Sequence, residues 1–389
     1  MRQSIDGASI VGTTGRAAAS RLWPMRMSRR MLIGAVGVAP AVLVVVVALV
    51  GSDWDPAVFL RAAVSGDLTD HLRQLLGDIP TTRAAGHDGK WFFLHADDPF
   101  LRNVDEWGRF LDTVPYRTQR MLYPTLAAPF GLFGPRAIAW AMVLNNLAAV
   151  VVGTLIVASA AHGRGLSAWL GVAFGWNLGV VATVLLDGAD VVAWVCIAGA
   201  IVATQDGRVS KASGWLAAAA LARETAVLAA LALLVWHRWS TGRWRWRLIG
   251  VPAGAMGLWF VYVFWRSGER YTAPPGSIVA PLSGFDAGLS GGSLDRLTIV
   301  MIVFGLLLVL LRSVRTPGAW SWVALLYGLM ALVLGGRVLG AWFDSSRTVL
   351  PLLTVMWLAF AGIDEDLDGQ EASSRTIGDG DDGLAEPSP

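Results

Sequence analysis

Residues 31–50 form an apolar run without a single charge, and runs of the same kind recur as far as Gly362. Backbone placed in hydrocarbon has no water to bond, so such a stretch must satisfy its own N–H and C=O groups. Only helices and closed barrels do this, and the period-two alternation of a barrel strand is absent. The expected fold is therefore all-α, a polytopic transmembrane helical bundle. Composition agrees: hydrophobic residues make up 54% of the chain and charged residues 15%, where a soluble chain carries about a quarter charged residues.

The first run is preceded by a basic arm, 1–30, with Arg2, Arg16, Arg21, Arg26, Arg29 and Arg30. No small-residue cleavage site follows the run, so it reads as a retained anchor. The arm reads as flexible and cytoplasmic, which sends the first span outward. The transmembrane domain is expected over 31–362, with 51–117 as a large extracytoplasmic loop. Further spans are expected at 137–160, 166–186, 189–204, 248–265, 297–311, 319–334 and 348–362.

Two segments leave the topology open between two forms. In one, 121–134 and 214–236 each cross once. In the other, 121–134 is too short to cross, and Arg223-Glu224-Thr225 breaks 214–236 into two half-spans at the outer face. The second form places Arg164, Arg208 and Lys211 inside and Asp187 and Asp190 outside, as the positive-inside rule favours. Either gives about ten crossings, with both termini cytoplasmic and the chain in the inner (plasma) membrane. The acidic tail, 363–389, reads as disordered and cytoplasmic.

The net charge of +2 is spread over span ends, so no nucleic-acid partner is expected. The Arg/Trp alternation over 236–247 matches a cytoplasmic loop anchored at the bilayer interface. Cys196 is the single cysteine, which excludes an internal disulfide. No Walker loop, dinucleotide fingerprint, zinc motif or serine-nucleophile elbow is present.

What lipid solvation leaves unexplained is a set of polar residues near the outer face. Asp88-Gly89 precedes Trp91-Phe92-Phe93: a carboxylate beside an aromatic shelf suits a general base or a divalent-cation ligand, and it equally suits an Asp-Gly turn. Asp53 and Asp55 are rival carboxylates that also fit helix caps. Asp97-Asp98-Pro99 reads as a turn or cap. Arg117 and Arg120, before Tyr123-Pro124, either clamp a phosphate or reach lipid head groups. Arg223 and Glu224 lie within an apolar run, where each charge costs about 2.5–3.5 kcal/mol and so lines a cavity or pairs with another span. Arg347 opens the last span from the outer side, against the usual charge bias, and suits phosphate binding or head-group contact.

Two stretches together carry a family resemblance: Asp88-Gly89-Lys90-Trp91-Phe92 with Ala96 following, then Tyr116-Arg117, Arg120 and Leu122-Tyr123-Pro124. They resemble the "YDGQFYY…A…DPF" and "YR..R.LYPLLA" patterns of bacterial integral-membrane proteins of the GT-C glycosyltransferase superfamily linked to cell-surface glycopolymer formation. More loosely, they are similar to GPI-mannosyltransferase-like enzymes. Arg223-Glu224-Thr225 resembles a break seen in related enzymes. The chain departs from the pattern at His87, where an aromatic is usual, and at Lys90-Trp91, in place of Gln-Phe.

The resemblance implies a GT-C fold and a polyprenyl-phosphate sugar donor. The acceptor would be a glycan or lipid-linked molecule at the outer face of the bilayer. Asp88 would be the catalytic carboxylate, with Arg120, Arg223 and Arg347 stabilising the departing lipid phosphate. A transporter or flippase for a lipid-linked or small polar substrate, and a non-catalytic envelope-assembly scaffold, are the rival functions.

Overall fold

The computed structural model describes residues 25–83, 86–271, 276 and 278–364. Nearly all of the basic arm expected over 1–30 and of the acidic tail expected over 363–389 lies outside the described residues. Those described are mostly helical, and their only sheet is a two-stranded parallel pair, Ala62–Ala63 beside Thr81–Thr82.

Among the described residues, four helices are long and apolar enough to cross a membrane: Met27–Val50, Pro135–His162, Arg247–Ser267 and Ser293–Arg315. A fifth candidate is the pair Ala168–Gly175 and Leu178–Leu185, bent by 45°. The bend has a local cause. Asn177 accepts a hydrogen bond from the Gly179 N–H at 2.8 Å, capping a new helix, while its amide donates to Thr354 Oγ1 at 3.0 Å. A fresh N-cap ends one helix axis and starts another.

The other expected spans are shorter helices: Asp190–Gln205, Ala226–Thr241, Ala319–Ala331 and Leu350–Phe360. At 1.5 Å per residue, 16 residues reach about 24 Å, less than a hydrocarbon core of about 30 Å. Among the described residues, length and composition thus give four to five candidate crossing helices. The segment 121–134 forms Leu122–Ala127 followed by a 3-10 turn, Ala128–Phe133. By length alone it falls, like the other short helices, below the thickness of a hydrocarbon core.

Asp190–Gln205 is apolar all round because it is surrounded by protein. All but two of its residues, Val202 and Gln205, are buried, and Trp194 is among the largest fully buried side chains. It packs against Pro135–His162, Val209–Ala222 and Ala226–Thr241. The long helices instead keep apolar faces outward: Leu258, Val261 and Trp265 are exposed. Such faces suit lipid as the surrounding solvent.

Residues 51–117 fold onto one end of this bundle. Leu60, Leu72, Phe93, Leu101 and Trp107 form a core that continues into Ile138 and Met142 of Pro135–His162. Polar contacts fix the seat. Arg266 donates to the Leu101 carbonyl at 2.7 Å, and Glu269 accepts the Val114 N–H at 2.9 Å. Far along the chain, Asp364 accepts from the Ser321 N–H at 2.9 Å and the Ser321 hydroxyl at 2.6 Å, capping Ala319–Ala331.

Candidate functional site

Asp88 stands at the start of the helix Gly89–Asp97, yet its side chain makes no cap hydrogen bond. The turn it occupies is made tight by the next residue. A Cβ on Gly89 would lie 2.7 Å from the Phe59 carbonyl and 3.0 Å from that of Leu186. Glycine is needed there for close backbone approach, and the carboxylate is left free to face elsewhere.

It faces three arginines. Arg117 Nη1 lies 3.0 Å from Asp88 Oδ1, while Arg120 Nη1 and Arg347 Nη2 lie 3.4 and 3.3 Å from Oδ2. Burial alone would raise the Asp88 carboxyl pKa. Arg347, Arg120 and Arg117, with Arg223 behind them, outweigh it and hold the group well below the usual carboxylate range. Asp88 is therefore ionised throughout the physiological range.

Each arginine has a second carboxylate. Arg117 forks onto Asp112 at 2.6 and 3.0 Å, Arg120 forks onto Glu224 at 2.9 and 2.8 Å, and Arg347 meets Asp344 at 2.7 Å. Arg223 pairs with the buried Asp190 and donates to Thr348 Oγ1 at 3.3 Å. Three donor atoms, Arg347 Nε, Arg347 Nη1 and Arg223 Nε, are buried with no acceptor among the described residues. Leaving such a donor unsatisfied costs about 1–3 kcal/mol, more for a charged group.

The break in the 214–236 run is what brings Arg223 and Glu224 here. Val209–Ala222 ends, Arg223 turns extended (φ −154°, ψ 128°), and Ala226–Thr241 begins. Arg347 is delivered in the same way, by the short helix Trp342–Thr348 that ends just before Leu350–Phe360. Adjacent residues in a helix point apart, and the break lets Arg223 and Glu224 take separate partners.

The structure thus joins Asp88, Arg117, Arg120, Arg223, Glu224 and Arg347. Tyr123 is fully buried, and its hydroxyl contacts Asp187 and the Met142 carbonyl, 2.9 Å away. Its ring packs edge-on against Phe92, at 5.5 Å between centroids, so it is part of the core and not of the cluster. Asp55 accepts the Ala57 N–H at 3.0 Å and lies 3.5 Å from Arg136, while Asp53 sits in a left-handed turn (φ 50°). Among the described residues neither joins the Asp88 cluster. Asp98 is a cap, accepting the Arg102 and Asn103 N–H groups at 2.7 Å each.

Sequence reasoning missed Asp112 and underrated Asp190 and Asp344. The only local signal was the Asp344/Arg347 spacing of one helical turn. Among the described residues, no group of three His, Cys, Asp or Glu side chains is placed to hold a metal ion. The cluster's own carboxylates are engaged by arginines. A divalent cation would therefore need most of its ligands from a bound substrate.

Beside the cluster, an open, largely apolar groove of about 550 Å³ runs along Arg247–Ser267, lined by Phe260, Val261, Phe264 and Tyr271, with Glu224 and Arg270 also on its wall. No protein-family model, curated protein or solved structure matches this chain.

Proposed function

We propose that the chain is a membrane glycosyltransferase of GT-C type with about ten crossings. It would move a sugar from a polyprenyl-phosphate donor to a glycan or lipid-linked acceptor of the cell envelope, at the extracytoplasmic face. The shorter helices would complete the crossings by packing in series with the long ones. The observation that carries the reading is the single carboxylate of Asp88 shared by three arginines. Beside it lie buried guanidinium donors that lack an acceptor among the described residues.

A phosphate oxygen suits those donors in charge and in fork geometry. As the sugar leaves, negative charge grows on the lipid phosphate. Arg120, Arg223 and Arg347 are already oriented, so they stabilise that charge without reorganising. The groove along Arg247–Ser267 offers the prenyl chain an apolar path up to the arginines.

Asp88 so strongly held as an anion is a weak base. Its role is to accept the hydrogen bond of the attacking hydroxyl and aim it, taking the proton late, as the bond to the sugar forms. Asp88→Asn keeps the shape and removes the negative charge. In membranes supplied with polyprenyl-phosphate sugars, the variant is expected to lose at least about 100-fold in transfer rate. Unchanged transfer would remove Asp88 from the mechanism.

One observation favours a second reading. Broken helices meet at the cluster, at 223–225 and at Val349, as they do around the midplane sites of transporters. Absence of transfer by the wild-type chain, together with substrate uptake or lipid flipping in vesicles, would select that reading. Neither transfer nor transport would leave the scaffold.

A further inference from the structure

The other end of the bundle carries a second charged site, independent of the Asp88 cluster. Val209–Ala222 and Ala226–Thr241 both run away from the break at Arg223–Thr225. Over 14 and 16 residues they carry their far ends about 21–24 Å from it. There the loop before Val209 and the loop after Thr241 enclose a cavity of about 760 Å³, lined by Arg208, Lys211, Trp244, Arg245, Trp246 and Arg247. The two tryptophans stack, with ring centroids 5.2 Å apart and planes 12° apart, and Arg238 lies over Trp244 at 5.8 Å. These aromatics are half to two-thirds exposed.

Arg208 and Lys211 also line the mouth of a second cavity, an apolar groove of about 310 Å³ between Pro135–His162 and Asp190–Gln205. Val152, Leu155, Ile156, Val202 and Trp215 form its walls. The Trp215 indole lies against Gly199, where a Cβ would meet its ring at 3.0 Å, so the groove has its width because Gly199 has no side chain. Among the described lining residues the acidic group is Asp206, 4.0 Å from Arg208.

A cationic box that opens into an apolar slot has the chemistry of one ligand with an anionic head and a hydrocarbon chain. We propose that this end of the bundle binds an anionic phospholipid. Its phosphate would sit among Arg208, Lys211, Arg245 and Arg247, and one acyl chain would lie in the slot beside Trp215. With Arg208 set against Asp206, the exposed Lys211, Arg245 and Arg247 leave the box positive, which complements a phosphodiester and not a zwitterionic head group. Trp244 and Trp246 sit at the depth of the glycerol backbone, where indole rings partition.

The test uses the full chain in nanodiscs of equal phosphatidylglycerol and phosphatidylcholine, with the lipids retained on release read by native mass spectrometry. The wild type is expected to retain phosphatidylglycerol preferentially. The exposed-side-chain variant Lys211→Gln/Arg245→Gln/Arg247→Gln is expected to weaken that retention on the order of 100-fold. A control, Arg29→Gln/Arg315→Gln, removes cations elsewhere and is expected to change nothing. Val152→Trp narrows the slot at an exposed position. It is expected to reduce lipid retention while leaving any binding of soluble glycerol phosphate unchanged. Equal retention by the triple variant and the wild type would overturn the proposal, as would equal loss in the control. Displacement of the lipid by glycerol phosphate at matched concentration would show a soluble-anion site instead.

Discussion

At the scale of single residues, protons and charges can be counted. The Tyr123 hydroxyl has one proton and lies 2.9 Å from the Met142 carbonyl, which only accepts. The Asn146 amide, as oriented, donates to the Tyr123 hydroxyl oxygen at 2.7 Å. If Tyr123 donates to Met142, its contact with Asp187 needs a proton from the carboxyl. Burial does push the Asp187 carboxyl up, to about 7. A carboxyl raised in the folded state contributes stability that is complete below its unfolded value near 4 and is lost as pH rises through about 7. The wild type is thus expected to lose on the order of 4 kcal/mol from this group across that window. Asp187→Asn should flatten this part of a thermal-unfolding profile measured against pH in detergent, and an unchanged slope would mean that Asp187 is ionised. Asp88 was legible in the sequence because an Asp-Gly pair beside an aromatic shelf is unusual next to lipid. Asp112 was not, since an exposed carboxylate five residues before an arginine looks like any solvated loop. Its meaning comes only from the fold of 51–117.

At the scale of elements, the breaks matter more than the helices. Long apolar helices such as Pro135–His162 were legible from runs of hydrophobic residues alone. The bend at Asn177 was not, because it depends on Thr354, far away in sequence and brought close by packing. The interruption at Arg223-Glu224-Thr225 was legible, since two charges inside an apolar run demand partners. Which partners they take was hidden: Asp190 figured only as an outer-face charge beside Asp187, and it is the buried counter-ion of Arg223. The turn at Gly89 makes a sharp forecast. Gly89→Ala forces a methyl against the Phe59 and Leu186 carbonyls, at a cost of about 1–3 kcal/mol. The expected result is a lowered melting temperature, together with a drop in transfer larger than the stability loss explains, because Asp88 moves with the turn. A variant as stable and active as the wild type would show that the turn gives way freely.

For the whole molecule, the membrane class was legible and the number of crossings was not. Hydropathy marks a segment as apolar, and it does not distinguish a helix facing lipid from one wrapped in other helices. Asp190–Gln205 has the composition of a span and the burial of a core element. Orientation is open to a direct measurement, since the native Cys196 is buried and gives little background. Ser65, in the 51–117 interval, and Ser240, at the far end of Ala226–Thr241, are both exposed. Ser65→Cys is expected to react with an impermeant maleimide in intact cells, and Ser240→Cys only after permeabilisation. The reverse pattern would invert the orientation read from arginine placement.

The pairing of Asp190 with Arg223 also sets a schedule for synthesis. A lone charge held in lipid costs about 2.5–3.5 kcal/mol, and the arginine follows the aspartate in the chain by about 33 residues. At 5–20 residues per second, the ribosome delivers it some 2–7 seconds later. During that interval Asp190–Gln205 has neither its counter-ion nor the Val209–Ala222 wall. Retention of this helix at the insertion site until both charges can enter together would avoid that cost, and slowing translation between these two codons would then prolong the wait.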